Sequence, residues 1–172
     1  MKRLYIVVEG QTEEEFVRTM LRPYLFSYGI YDVNSILIRT SKSGRGGFVN
    51  YDHLKNTVMP LLKSQKDDIV VTTFVDYFRM PHNTPHYEQC MQAGCNKDKV
   101  AALEQCIWKD INDRRFVPYI QLHEFEALLF SDNNGFEELF TKEQAEQTAV
   151  IVDAFENPED INTHPQHAPS KR

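Results

Sequence analysis

Four carboxylates stand where short apolar runs of this sequence end. Glu9 follows residues 4–8 (Leu-Tyr-Ile-Val-Val), Asp76 follows residues 69–75, and Glu124 and Glu126 follow residues 117–122. If these runs are parallel strands, their carboxyl ends converge, and acids far apart in sequence share the edge where α/β sheets collect ligands. Carboxylates brought together raise one another's pKa unless a cation lies among them. An oxygen-only set suits Mg²⁺ or Mn²⁺, with water and substrate phosphate completing the shell. Glu9, Asp76, Glu124 and Glu126 are therefore candidate metal ligands. The plainer reading of each is a polar residue that closes a strand.

Helical geometry separates the last two. At about 100° per residue, Leu122, Phe125 and Leu129 centre an apolar arc, Glu126 projects on its flank and Glu124 nearly opposite. An ionised carboxylate beside apolar groups is costly unless paired or metal-bound, which favours Glu126 as the ligand. His123, three residues earlier, could reach the same place or simply bond a neighbouring carbonyl.

Other groups could meet phosphate. Lys42 and Arg45 sit in the glycine-rich stretch Ser41-Lys42-Ser43-Gly44-Arg45-Gly46-Gly47, which lacks the spacing of a Walker loop and reads equally as a solvated turn. Arg79, three residues after Asp76, could pair with it or with substrate. His82, His86, Cys90 and Cys95 have ligand types suited to structural Zn²⁺, but their order is unusual and Pro85 intervenes, so polar loop residues and packed thiols are the expectation. Cys106 reads as packing. No Ser-His-Asp or Cys-His triad stands out.

These groups need elements to position them. The β-branched run at 4–8 predicts a strand buried on both faces. Gly10 breaks it, and Thr12 with Glu15 has capping-box spacing for a helix carrying Phe16, Met20 and Tyr24 on one stripe, bent or ended by Pro23. Further strands are expected at 33–39, 69–75 and 117–122. Helices are expected where Tyr51, Leu54, Val58, Leu61 and Leu62 share a face around Pro60, and where Val100, Leu103, Ile107, Trp108 and Ile111 do so. Arg114-Arg115 should then close the latter helix at its negative end. Residues 77–96 read as an excursion loop, 123–130 as a short helix and 142–155 as the last helix. Alternating strands and helices imply one α/β domain over 1–156, with a mostly parallel sheet of about four strands covered on both faces, followed by an irregular segment over 157–172.

Composition closes other doors. Hydrophobic residues make up 41% of the 172 and charged residues 26%, enough for a core. No apolar run approaches the ~18 residues of a membrane span. The opening run is too short for a secretion signal and has no cleavage site behind it, so a cytoplasmic protein is expected. Nineteen basic against twenty-five acidic residues give a net charge of −6, which argues against coating nucleic acid by bulk electrostatics but not against an acidic metal-filled nuclease centre. Three cysteines make no disulfide framework.

Val8-Glu9-Gly10-Gln11-Thr12-Glu13 after an opening strand resembles the first motif of Toprim domains. Three further stretches are similar to a bacterial Toprim-like family related to nucleases of the OLD type, whose members are encoded beside ATPases in phage-defence loci. They are Val75-Asp76-Tyr77-Phe78-Arg79-Met80-Pro81, residues 121–130, and Asn157-Pro158-Glu159-Asp160-Ile161-Asn162 with Ala168-Pro169-Ser170-Lys171-Arg172. The resemblance implies a Toprim-like (Rossmann-like) fold and Mg²⁺-dependent hydrolysis of DNA or RNA phosphodiesters, with an ATPase partner and room for a homodimer. It implies an acid–base role for Glu9 and metal binding by Asp76; with Glu126 these are the catalytic candidates, and Gly10, Thr12, Lys42, Arg45, Arg79 and His123 are the candidate substrate contacts. It also implies that relatives continue beyond Arg172, so that the chain is a piece of a longer protein. The second acid of the family's Asp-x-Asp pair is Phe78 here, which cannot bind metal. Two-metal chemistry would need Glu124 or Glu126 in its place, and a non-catalytic, partner-binding domain is the alternative.

Overall fold

The opening β-branched run becomes an interior strand, which is why it carries no polar face. The computed structural model describes residues 3–40, 47–64, 68–122 and 124–161. Strand β1 (Arg3–Val8) pairs in parallel with β2 (Asp32–Leu37) on one side and β3 (Ile69–Asp76) on the other. β4 (Phe116–Val117) adds in parallel to β3, and β5 (Ile120–Gln121) also pairs with β3. The order is β2-β1-β3-β4, an α/β architecture with a mostly parallel sheet, as the alternating pattern required. Val7, Val8, Val71 and Val75 are buried in it. The chain divides into two compact units, Met1–Ile120 and Gln121–Arg172.

Between β1 and β2 the backbone is helical from α1 (Gln11–Phe16) through a π turn, Val17–Leu21, into α2 (Arg22–Ser27). Pro23 does not end it. Proline lacks an N–H and crowds the carbonyl four residues back, and a wide turn just upstream absorbs both defects. That turn also shifts the side chains within and after it. Val17 is buried, whereas Met20 and Tyr24, expected on the buried stripe, are 62% and 60% exposed. The cap is displaced too. Gly10, not Thr12, precedes the helix, and its N–H donates to the Glu13 carboxylate at 2.9 Å. Thr12 is exposed within the first turn, and Glu15 takes Arg18 instead.

Helix α3 (Tyr51–Ser64) runs through Pro60 and buries Tyr51, Leu54, Val58 and Leu62. Residues 77–96 contain one short helix, α4 (Tyr87–Cys90), and bury Met80, Thr84 and Cys90, so this segment is more ordered than an open loop. Helix α5 (Asn96–Ile111) buries Val100, Leu103, Ile107 and Ile111; Trp108 flanks that stripe and is 46% exposed. Asn112, with φ 52°, closes α5, a left-handed position that asparagine tolerates better than most residues.

Arg115, after α5, does something other than cap it. Arg115 binds the Asp113 carboxylate through Nε at 3.0 Å and Nη2 at 2.7 Å, and Nη2 also donates to the carbonyl of Leu62 in the last turn of α3. The Arg115 side chain holds the Asp113 carboxyl well below its ordinary range, at about 2. A depressed folded-state pKa gives stability that is complete above the unfolded value near 4 and lost as pH falls towards 2. Asp113→Asn is expected to cost about 1 kcal/mol at pH 7, a figure discounted for partial solvent screening. Urea titrations over a pH series should show the gap between the two proteins closing between pH 4 and 2. A gap that stays constant across that window would remove the pair from the account.

The fourth expected strand, 117–122, is broken. Pro118 has no N–H to give the ladder, so β4 ends at Val117. The buried Thr73 hydroxyl takes over, donating to the Tyr119 carbonyl at 2.6 Å and accepting its N–H at 2.8 Å.

In the second unit, Phe125–Ser131 forms a 3-10 helix, followed by α6 (Asn134–Leu139), which the periodicity did not reveal, and α7 (Lys142–Ala154). Thr141 caps α7, accepting from the N–H of Gln144. Pro158–Asp160 forms a short 3-10 turn where irregular chain was expected, and the following Ile161 is fully buried.

Candidate active site at the carboxyl edge of the parallel sheet

Register fixes the most important relation. Val8 of β1 lies opposite Phe74 of β3, so Glu9 is one residue and Asp76 two residues past a matched pair on adjacent parallel strands. Neighbouring strands are about 4.8 Å apart. The sheet therefore brings Glu9 and Asp76, 67 positions apart in the chain, to one edge. Both are half-buried.

The segment after β2 crosses towards this edge and grips Glu9. The Gly47 N–H donates to the Glu9 carbonyl at 2.8 Å, and the Phe48 N–H donates to the Glu9 carboxylate at 3.2 Å. Gly47 has φ 86°, a conformation that glycine reaches without the penalty of a Cβ. Asn50 then accepts the N–H of Asp52 at 2.8 Å, a local bond that starts α3.

The segment after β3 is tied to the same place. Asn83 accepts the Tyr51 N–H at 2.9 Å and donates its own amide to Asn50 at 2.8 Å. The segments following β1, β2 and β3 are thus joined by hydrogen bonds. Behind them, the Tyr51 hydroxyl donates to Asp110 at 2.6 Å and Lys55 binds the same oxygen at 2.8 Å. Burial pushes the Asp110 carboxyl up, but the bonds from Lys55 and Tyr51 outweigh it and hold it below the ordinary range. Burial, then the bond to Asp110, keeps the Tyr51 hydroxyl protonated well above the usual range.

Directly after Asp76 the chain turns tightly, with the Met80 N–H donating to the Tyr77 carbonyl at 3.1 Å. Arg79 in this turn has φ 61°, uncommon for a residue with a side chain. Its guanidinium lies 5.1 Å from the centre of the Phe78 ring. Phe78 occupies the position where a second aspartate was sought, and its ring supports a cation there.

The remaining expected site residues are distributed differently. Gly10 caps α1 and Thr12 is exposed on it, both just beyond Glu9. Lys42, Arg45 and His123 lie outside the described residues. Glu124 and Glu126 belong to the second unit, and their burial is the reverse of the expectation. Glu124 is 6% exposed and precedes the 3-10 helix, its carbonyl accepting the Ala127 N–H, whereas Glu126 is only half-buried. The reason is the helix type. With three residues per turn, side chains eclipse at i and i+3. Ala127 and Phe130 share the buried row, and Glu126 shares its row with Leu129, which is 58% exposed.

Among the described residues, no three Asp, Glu, His or Cys side chains are grouped to hold a metal ion. His82 stacks on Tyr87 at 4.6 Å, Cys95 is exposed at the start of α5, and Cys90 faces Cys106. Among those residues, too, no helix is long and apolar enough to cross a membrane.

Sequence reasoning missed Phe48, Asn50 and Asn83, which arrange the edge. Only Asn50 carried a signal, as an asparagine immediately before an apolar helical face.

The chain belongs to the family described as Domain of unknown function (DUF4276), whose profile matches residues 8–172. No curated protein and no solved structure is similar enough to match.

Proposed function

We propose that this member of the family is a Mg²⁺-dependent nuclease of Toprim type, hydrolysing phosphodiester bonds of DNA or RNA in the cytoplasm as part of antiviral defence with an ATPase partner. The observation that carries the reading is the register that puts Glu9 and Asp76 just past a matched pair at the carboxyl ends of adjacent parallel strands, the edge where such sheets bind ligands. Two carboxylates fit the oxygen chemistry of Mg²⁺, which keeps several waters and takes phosphate oxygens rather than a full protein cage. The metal, when bound, neutralises charge developing on the scissile phosphate. Asp76 is the ligand. Glu9, oriented by the Phe48 N–H, ligates or moves a proton at the reacting oxygen. Arg79, on the turn directly after Asp76, contacts phosphate. Glu9 and Asp76 both lie in the first unit, and the reading rests on them alone.

A second reading, a non-catalytic domain that binds a partner, is favoured by Phe78 at the position of the second metal-binding acid. Incubation with end-labelled DNA, RNA and nucleoside triphosphates, with Mg²⁺ or Mn²⁺ and with EDTA, separates them. Cleavage of one polymer that EDTA abolishes is the expected result. Turnover of triphosphates with intact polymers would redirect the activity to nucleotides. No turnover of any substrate, together with no thermal stabilisation by millimolar Mn²⁺, would leave the partner-binding reading.

A further inference from the structure

The segment that follows Asp76 returns to the body of the first unit through sulfur. Tyr77 donates its hydroxyl to Met91 Sδ at 3.7 Å, and Cys90 Sγ lies 3.5 Å from Cys106 Sγ. Cys90 is the last residue of α4 and is buried; Cys106 sits in the middle of α5 and is partly exposed. The third thiol, Cys95, is exposed at the start of α5. A disulfide needs the sulfurs about 2.0 Å apart. The gap to close is therefore about 1.5 Å.

We infer that Cys90 and Cys106 form a reversible disulfide under peroxide, a redox latch that fixes residues 77–96 to α5. The order of events follows from exposure. The more accessible Cys106 thiolate attacks the peroxide oxygen, breaking the O–O bond and becoming a sulfenic acid while the peroxide leaves as hydroxide or alkoxide. The Cys90 sulfur then attacks the Cys106 sulfur, forming the S–S bond; the sulfenic oxygen leaves with the Cys90 proton as water. In sum, two thiols are oxidised by two electrons and one peroxide is reduced. Burial, reinforced by Cys106, pushes the Cys90 thiol up to about 11, which makes it the poorer first target for peroxide. In a reducing compartment such a bond is transient and acts as a sensor. Its reducing partner would be a dithiol or the glutathione pool. The latch spans 16 positions, from Cys90 to Cys106, and so removes freedom from the segment that begins beside Asp76.

The test uses the whole chain and needs no assumption about its activity. After exposure to a few equivalents of hydrogen peroxide, alkylation in denaturant should find one free thiol instead of three. The intact mass should fall by about 2 Da, for the two hydrogens lost, and peptide mapping should link Cys90 to Cys106. Dithiothreitol should reverse all three changes. The melting temperature of the oxidised form should rise by about 5 °C or more, because the cross-link restricts the unfolded chain. Cys95→Ser should oxidise in the same way, and Cys106→Ser should lose the mass change. Three thiols surviving oxidation would overturn the inference. So would sulfinic acid on Cys106 without a link, a link through Cys95, or a link that leaves the melting temperature unchanged.

Discussion

Replacing Asp76 with alanine should lower metal-dependent phosphodiester cleavage by about 10³-fold or more, the scale of effect seen when a group that stabilises transition-state charge is removed. The size follows from position. Asp76 is the last residue of β3, held by a strand that pairs on both sides, so its backbone is fixed before any ligand arrives. A ligand fixed in this way costs little reorganisation, and its removal leaves Glu9 as the only carboxylate assigned to the edge in the proposed reading. The loss should not come from unfolding. The side chain is half-buried rather than in the core, and its removal should change the metal-free melting temperature by about 2 °C or less. Two curves decide the matter, cleavage rate against Mn²⁺ concentration and melting temperature against Mn²⁺ concentration, for both proteins. Equal cleavage by Asp76→Ala and the parent chain would mean that a contaminant cuts the polymer, and the nuclease reading would be withdrawn. Loss of activity together with a large fall in metal-free stability would assign Asp76 a structural role instead.

The second large effect is on stability. Phe116 is fully buried, and β4, to which it belongs, is only two residues long. Its Cα partner is Val71, itself fully buried on β3. So short a strand cannot be held by ladder hydrogen bonds alone, and the ring anchors the edge of the sheet. Phe116→Ala removes that apolar area and leaves a cavity that rigid neighbours only partly fill, at a cost of about 3–5 kcal/mol. Against a total of about 5–15 kcal/mol for a typical domain, this is a large fraction. Equilibrium urea denaturation, compared with Trp108→Ala on the exposed flank of α5, measures it. The tryptophan substitution should cost much less despite its larger side chain, because nearly half of it already faces solvent. Similar costs for the two changes would show that Phe116 does not anchor the sheet.

The contrast between those aromatics also marks where sequence reading stopped. Phe116 lies one residue before the run, 117–122, whose apolar character announced a strand, and Pro118 divides that run. Only the Thr73 hydroxyl, arriving from β3, shows how the divided strand stays attached. Trp108 had helical spacing close to that of its buried neighbours. The stripe of Val100, Leu103, Ile107 and Ile111 already fills the face of α5, and the tryptophan falls on its flank.

The candidate site divides along the same line. Glu9 and Asp76 were legible because a strand buried on both faces is a continuous apolar run, and a polar residue that ends one is conspicuous. The burial of Glu124 and Glu126 was misjudged because the period of a 3-10 helix differs from that of an α-helix. A wheel drawn at the wrong angle places side chains on the wrong face. Met20 and Tyr24 failed for a related reason, a π turn that contains the first and shifts the register of the second.

Local chemistry therefore determined the element types, the parallel sheet they build, and the two acids that terminate its central strands. Those features follow from side-chain periodicity and backbone preference, which act over a few residues. Tertiary structure alone decided that Phe48 grips Glu9, that Asn83 ties the segment after β3 to Asn50 and Tyr51, and that Cys90 meets Cys106. Each of these contacts joins residues 16 to 39 positions apart. Its partner is selected by how helices settle on the sheet, information that no local pattern carries.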